Sequence, residues 1–146
     1  MKFRTAEIDD LEILNLISVK SKAFWGYSKT LMEIWSNELT LDKDILSKQN
    51  VLIIETENNV IGFSSIMENR DTCEIIHLWI LPEFIGKGFG KKLLDKTIET
   101  CIKADKPIIV VADPNAEPFY QSQGFVTFDK VESSPKGRFL PVMKKQ

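Results

Sequence analysis

LWILPEFIGKGFGKKLLDK, residues 78–96, sets an apolar run against three glycines at alternate positions, Gly86, Gly88 and Gly90, followed by a basic, helix-like run. The apolar run reads as the end of a strand and the basic run as the start of a helix. A helix N-terminus presents unpaired N–H groups and a partial positive charge, so it binds anions. Glycines just before it let the backbone approach a phosphate and adopt positive φ. Lys87, Lys91 and Lys92 add cationic reach. A diphosphate suits this chemistry; a tight turn that binds nothing is the plainer alternative. The P-loop pattern G-x-x-x-x-G-K-[ST] is absent, and the spacing G-x-G-x-G departs from the dinucleotide fingerprint G-x-G-x-x-G.

Working outward, CEIIHLWIL (73–81) is apolar on both faces and reads as a central strand. Before it, VLIIET (51–56) and VIGFSSIM (60–67) flank ENN, a hairpin signal. KFRTAEI reads as a first strand. Asp9 or Asp10 is placed to cap a helix with Leu11, Leu14 and Ile17 on one face. Thr30 and Glu33 fit a capping box for a second helix, with Leu31, Ile34 and Trp35 inward, and DKDILSK (42–48) reads as a short helical turn. Downstream, Leu94, Ile98 and Cys101 share a helical face, with Lys91, Asp95 and Glu99 outside. PIIVVA (107–112) reads as a buried strand and PNAEPFYQSQG (114–124) as a short helix stopped by Gly124. FVTFDKV and GRFLPVMKK read as closing strands. The order β-α-α-β-β-β-α-β-α-β-β implies a mixed α/β fold, one domain over residues 1–146 around a single sheet.

Composition narrows the class. The chain has 146 residues, 43% of them hydrophobic, enough for a real core, and a net charge of -2 that does not suit a general nucleic-acid binder. No apolar run approaches the ~20 residues of a membrane span, and MKFRTAEIDD has no signal-peptide character. Cys73 and Cys101 show neither metal nor redox spacing. The expectation is a cytoplasmic protein with reduced thiols, no metal, and no nucleic-acid or membrane partner; a homodimer is left open.

The glycine stretch resembles the acetyl-CoA-binding motif of the GNAT superfamily of N-acetyltransferases, written as Arg or Gln, two residues, Gly, one residue, then Gly or Ala. Gly88 and Gly90 fill the small positions and Gly86 matches a common extra glycine, but Ile85 stands where the family usually has Arg or Gln. A second stretch, ADPNAEPFYQSQGF (112–125), resembles the family's later motif, with Asn115, Phe119, Tyr120, Gly124 and Phe125 in place. The element order matches as well. The resemblance implies a central, mostly antiparallel sheet with flanking helices, and direct transfer of an acetyl group from acetyl-CoA to the primary amine of a small molecule or protein, through a ternary complex. The alternatives are an acyl-CoA-binding sensor or interaction module of the same fold without turnover, and a phosphate-binding module unrelated to CoA, which leaves the Asn-Phe-Tyr motif unexplained.

By that resemblance the backbone from Ile85 through Gly86, Lys87, Gly88, Phe89, Gly90 and Lys91 holds the pyrophosphate, and Leu78, Trp79 and Ile80 flank the pantetheine. Tyr120 is the expected acid for the departing thiolate, with packing of its helix as the alternative. Asn115 is either a contact to the CoA arm or a helix cap. For the amine's proton, Glu74, early in the strand, competes with His77, the lone histidine. Their odd separation puts them on opposite faces of a strand, and ordered water could serve instead. Phe24, Trp25 and Tyr27, crowded around Gly26, are expected to wall the acceptor site, or else to pack the helices onto the sheet; Trp79 could join that wall. Arg138 reads as an ordinary surface arginine or as a partner for an acceptor carboxylate.

Overall fold

The computed structural model describes residues 1–103 and 105–146. Its strands are β1 (Lys2–Thr5), β2 (Asn50–Thr56), β3 (Asn59–Glu68), β4 (Cys73–Ile80), β5 (Ile108–Val111), β6 (Phe125–Glu132) and β7 (Phe139–Lys145). Its helices are α1 (Leu11–Ala23), α2 (Lys29–Ile34), α3 (Ser36–Leu39), α4 (Lys43–Lys48), α5 (Phe89–Lys103) and α6 (Glu117–Ser122). The strands form one sheet in the order β1-β2-β3-β4-β5-β7-β6, so β4 is central as its two apolar faces require. Every pairing is antiparallel except β4 with β5. The hairpin between β2 and β3 turns on Glu57 and Asn58, whose φ of 53° and 66° suit a two-residue turn matched to strand twist.

Adjacent residues of β2 divide the core between two faces. Ile53 packs with Leu14 and Ile17 of α1 and with Phe63, whereas Ile54 packs with Ile61 and with Leu93 of α5. Leu94, Ile98 and Cys101 of α5 extend that second face over Ile75, Val110 and Met143. The apolar stripe read along α5 is thus buried, and Lys91 pairs with Asp95 at 2.9 Å on its outer side.

Several expectations are corrected. Ser28, not Thr30, caps α2, accepting from the Leu31 N–H at 3.2 Å. Trp35 is buried, but Ile34 is 46% exposed because the helix breaks at Trp35 before α3 begins. Asp10 stands at the N-cap of α1, but its carboxylate binds the Arg4 guanidinium in two 2.8 Å hydrogen bonds. The thiols are not reduced: Cys73 at the start of β4 and Cys101 in α5 are joined as a buried disulfide with Cα atoms 5.8 Å apart. Among the described residues no helix is long and apolar enough to cross a membrane.

The register of β4 decides what its side chains face. Ser65 pairs with His77 and Ile66 with Ile75, which leaves Ile76 as an extra residue, a β-bulge. Before it, Cys73 and Ile75 face α5; after it, Leu78 and Ile80 do, and His77 and Trp79 turn to the α1 side beside Phe63. Glu74 and His77 therefore share the face away from α5, not opposite faces. Strict alternation fails here because the bulge resets it.

Candidate active site

The parallel partners β4 and β5 are bonded only from Cys73 to Ile75 and from Ile108 to Val110. Beyond that, β4 runs on to Ile80 against β3 alone, and the two strands splay. The gap is a cavity of about 480 Å³. Ile76, Leu78, Trp79 and Ile80 wall it from β4, and Val110, Val111 and Ala112 from the β5 side. Phe119 and Tyr120 of α6 line it as well, and the glycine loop lies along it. Such a largely apolar slot with an unpaired strand edge accommodates a slender chain with amide groups.

At the loop, Gly86 and Gly88 have φ of +83° and +86°, a conformation that side chains disfavour. A Cβ on either would meet nothing within 4 Å, so the backbone rather than packing demands glycine there. The first helical bond of α5 runs from the Lys92 N–H to the Gly88 carbonyl at 3.2 Å. The N–H groups from Gly86 to Lys91 bond to no described residue, leaving a row of donors at the helix start. Ile85, Gly86, Gly88, Gly90 and Lys91 line the cavity; Lys87 and Phe89 do not. Lys87 lies over the Phe84 ring, 5.5 Å from its centroid, and Phe89 packs edge-on against Phe84 at 6.0 Å.

Tyr120 lines the cavity and is 5% exposed, held edge-on between Phe119 and Phe125 at 5.3 Å from each. Burial raises the pKa of its phenol, so the proton stays on across the neutral range. Neither candidate base lines the cavity. Glu74 is half-buried, and that burial raises its pKa against a hydrogen bond from Asn69. His77 is buried, and its Nδ1 accepts from the Trp79 indole at 3.0 Å, which assigns the ring proton to Nε2.

Burial also lowers the His77 pKa to about 4. A histidine whose folded pKa lies below its unfolded value of about 6.5 binds fewer protons folded than unfolded. Its contribution is therefore complete above pH 6.5 and is lost as pH falls toward 4. Between pH 7 and 5 the protein should lose about 2 kcal/mol to this group. Urea unfolding of the parent and His77→Gln at the two pH values checks this: the variant should lose less, by about that amount.

The aromatic stretch divides. Phe24 is 50% exposed and Trp25 42%, edge-on to each other at 5.5 Å; Trp25 lines the cavity and Phe24 does not. Neither belongs to the hydrophobic clusters on the two faces of the sheet. Tyr27 turns inward to a charged cluster that sequence reading missed. Its hydroxyl bonds to Asp113 at 2.9 Å and accepts from the Asn115 side-chain amide at 2.9 Å. Asp113 also accepts from Lys22 and, at 2.8 Å, from the Asn115 N–H. Lys22 lies against the Trp35 ring, 4.6 Å from its centroid. Burial opposes charge on both members of the pair and lowers the Lys22 ammonium. On Asp113, burial is outweighed by Lys22, the Asn115 N–H and Tyr27, which hold its carboxyl below the usual range. Asp113 and Asn115 line the cavity, as does Ser21, whose hydroxyl bonds to the Ile80 carbonyl at 3.0 Å. The network thus joins α1 and the Tyr27 loop to the end of the splayed strands. Asp113 sits in the quoted ADPN stretch, but Lys22 lies 91 residues away, and nothing local links them.

The splayed central strands, the glycine loop opening α5 and the tyrosine on α6 define an acyltransferase-type architecture. The family description "Acetyltransferase (GNAT) domain" matches residues 16–146, and the chain belongs to that family. An uncharacterised N-acetyltransferase of Archaeoglobus fulgidus is 29% identical over 137 residues, 84% of this chain and 91% of that protein. Among solved structures, the PaiA N-acetyltransferase of Thermoplasma acidophilum in complex with coenzyme A superposes with a TM-score of 0.82 at 22% identity, covering 99% of this chain and 98% of that one. YncA of Salmonella typhimurium, solved with acetyl-CoA, has a TM-score of 0.70 at 20% identity, covering 100% and 93%. These likenesses carry the fold, a mixed α/β, mostly antiparallel sheet with helices.

Proposed function

We propose that this acetyltransferase-family chain moves the acetyl group of acetyl-CoA directly to a primary amine, within a ternary complex. The observation that carries the reading is continuity: one cavity runs from the free N–H groups at Gly86–Gly90 to the Tyr120 ring. The thioester supplies the activated acetyl group. The loop donors and Lys91 suit the pyrophosphate, and the β4 edge beyond Ile75 suits the pantetheine amides. The amine lone pair attacks the thioester carbon, the carbon–sulfur bond breaks, and Tyr120 protonates the departing sulfur. His77 is unsuited to take the amine's proton, since Nδ1 is engaged and Nε2 carries hydrogen; Glu74, second in β4, does not line the cavity. The amine proton leaves to solvent, and solvent returns a proton to the Tyr120 phenolate. Direct transfer is supported by the cysteines: both are in the buried disulfide, so neither offers a thiol to carry the acetyl group. Initial rates should give intersecting lines with both substrates varied, and intact-mass measurement should find no acetylated protein after incubation with acetyl-CoA alone. Parallel lines with an acetylated chain would replace this reading with a double-displacement route.

The loop assignment has its own test. Valine at position 88 is strained at φ +86°, and its branches project into the space beside the loop donors. Gly88→Val should weaken CoA binding tenfold or more, a change of about 1.4 kcal/mol per decade, in a protein that still melts cooperatively. Calorimetry on the folded variant with unchanged affinity would move the pyrophosphate elsewhere.

A further inference from the structure

Arg138 does not itself line the cavity, but its guanidinium reaches Asp113, which does, and transfer chemistry leaves it unused. Its side chain is 16% exposed and its guanidinium lies 4.3 Å from the Trp35 ring centroid. The Trp35 indole in turn donates to the Ser134 carbonyl at 2.7 Å, which fastens the loop between β6 and β7 onto α2. The hydrogen bonds of the Arg138 guanidinium are all long: 3.3 Å to the Ser133 hydroxyl, 3.4 Å to the Tyr27 hydroxyl and 3.4 Å to Asp113. A guanidinium has five donors in a planar fork shaped for a carboxylate. Asp113 does not fill that role, because Lys22, Tyr27 and the Asn115 N–H already engage it.

The charges do not cancel. Lys22 and Arg138 face a single contacting carboxylate, Asp113, so the cluster keeps one positive charge in excess. Glu38, the next carboxylate acting on Lys22, is exposed and contacts neither cation among the described residues. Excess positive charge largely removed from water is costly unless an anion completes it, and the ring faces of Tyr27 and Trp35 offset that cost only in part. Tyr27 and Asp113 connect Arg138 to Asn115 and hence to the wall of the cavity, where Trp25 also stands.

We propose that the acceptor carries a carboxylate near its amine, as an amino acid does, and that Arg138 binds this carboxylate on its stacked fork. The proposal rests on the amine-acetyltransferase reading and deepens it. A polyamine fits poorly, since its second ammonium would meet the excess positive charge. The test pairs L-phenylalanine with phenethylamine, L-methionine with 3-(methylthio)propylamine, and L-lysine with cadaverine. Acetyl-CoA is the donor, and the parent is compared with Arg138→Lys and Arg138→Met, each first shown to melt cooperatively. In at least one pair the parent should prefer the carboxylate member by tenfold or more in kcat/KM. Arg138→Lys should reduce that ratio, and Arg138→Met should bring it near one, with KM for the amino acid carrying most of the change. In a second arm, N-acetyl-L-phenylalanine and N-acetyl-L-methionine are titrated into the CoA-loaded protein, following the Trp35 indole proton by NMR. The parent should bind at least one and Arg138→Met should bind it at least tenfold more weakly. Decarboxylated amines acetylated as well as the acids would overturn the proposal and leave the transferase reading standing. Arg138-dependent binding of the N-acetyl acids with no transfer to any amine would do the reverse. Neither turnover nor binding, or a preference untouched by Arg138→Met, overturns it too.

Discussion

Replacing Tyr120 by phenylalanine is expected to lower turnover by about 10², the low end of what general acid catalysis contributes. The change removes one oxygen and keeps the ring, so the edge-on contacts with Phe119 and Phe125 remain and stability should barely move. Acetyl-CoA affinity should also hold, because the glycine loop is untouched. The low end is expected because a thiolate leaves acceptably even unprotonated. Burial raises the phenol's pKa, so the parent keeps its proton donor through the neutral and mildly alkaline range. An acyl donor with a more acidic thiol should rescue the variant more than it helps the parent. Equal gains for both, or a variant with parental turnover, would return Tyr120 to a packing role.

Replacing Asp113 by asparagine should cost about 3 kcal/mol of stability, the scale for breaking a buried ion pair from one side. The Lys22 and Asp113 side chains are 10% and 7% exposed, so solvent does little to screen them. The amide keeps the shape but leaves Lys22 and Arg138 as two buried cations without a contacting anion. Urea unfolding at pH 7 measures the loss. The acid limb of the parent supplies a second reading. A carboxylate with a depressed folded pKa contributes stability above its ordinary range near 4 and loses it as pH falls through the lower folded value. Asp113→Asn should therefore have a flatter acid limb than the parent. Loss below 1 kcal/mol with an unchanged limb would mean the cluster is solvated and contributes little.

What could be read from the sequence was local. The glycines at 86, 88 and 90, the strand before them and the Phe-Tyr pair lie within a few residues of the structure they build. The helical stripes on α1 and α5 placed Leu14, Ile17, Leu94, Ile98 and Cys101 in the core, where they lie. What escaped depended on distant partners. The extra residue at Ile76 is visible only against the register of β3, and it moved Glu74 and His77 to one face. Asp10 looked like a cap until Arg4 claimed it, and Ser28 capped α2 where Thr30 and Glu33 had the better pattern. Cys73 and Cys101 are 28 residues apart, with no spacing that announces a pair. Lys22, Asp113 and Arg138 come from three separate segments, so the sequence left Arg138 between a surface arginine and a partner for an acceptor carboxylate, whereas its side chain is only 16% exposed.

The most direct measurement is amine-dependent release of free thiol from acetyl-CoA, followed across a panel of amino acids, diamines and peptide N-termini with product masses in parallel. The account predicts that at least one amine raises thiol release well above the amine-free rate and gains the mass of one acetyl group, mole for mole with the thiol. Tight CoA binding with thiol release that no amine accelerates, and no acetylated product, would contradict it.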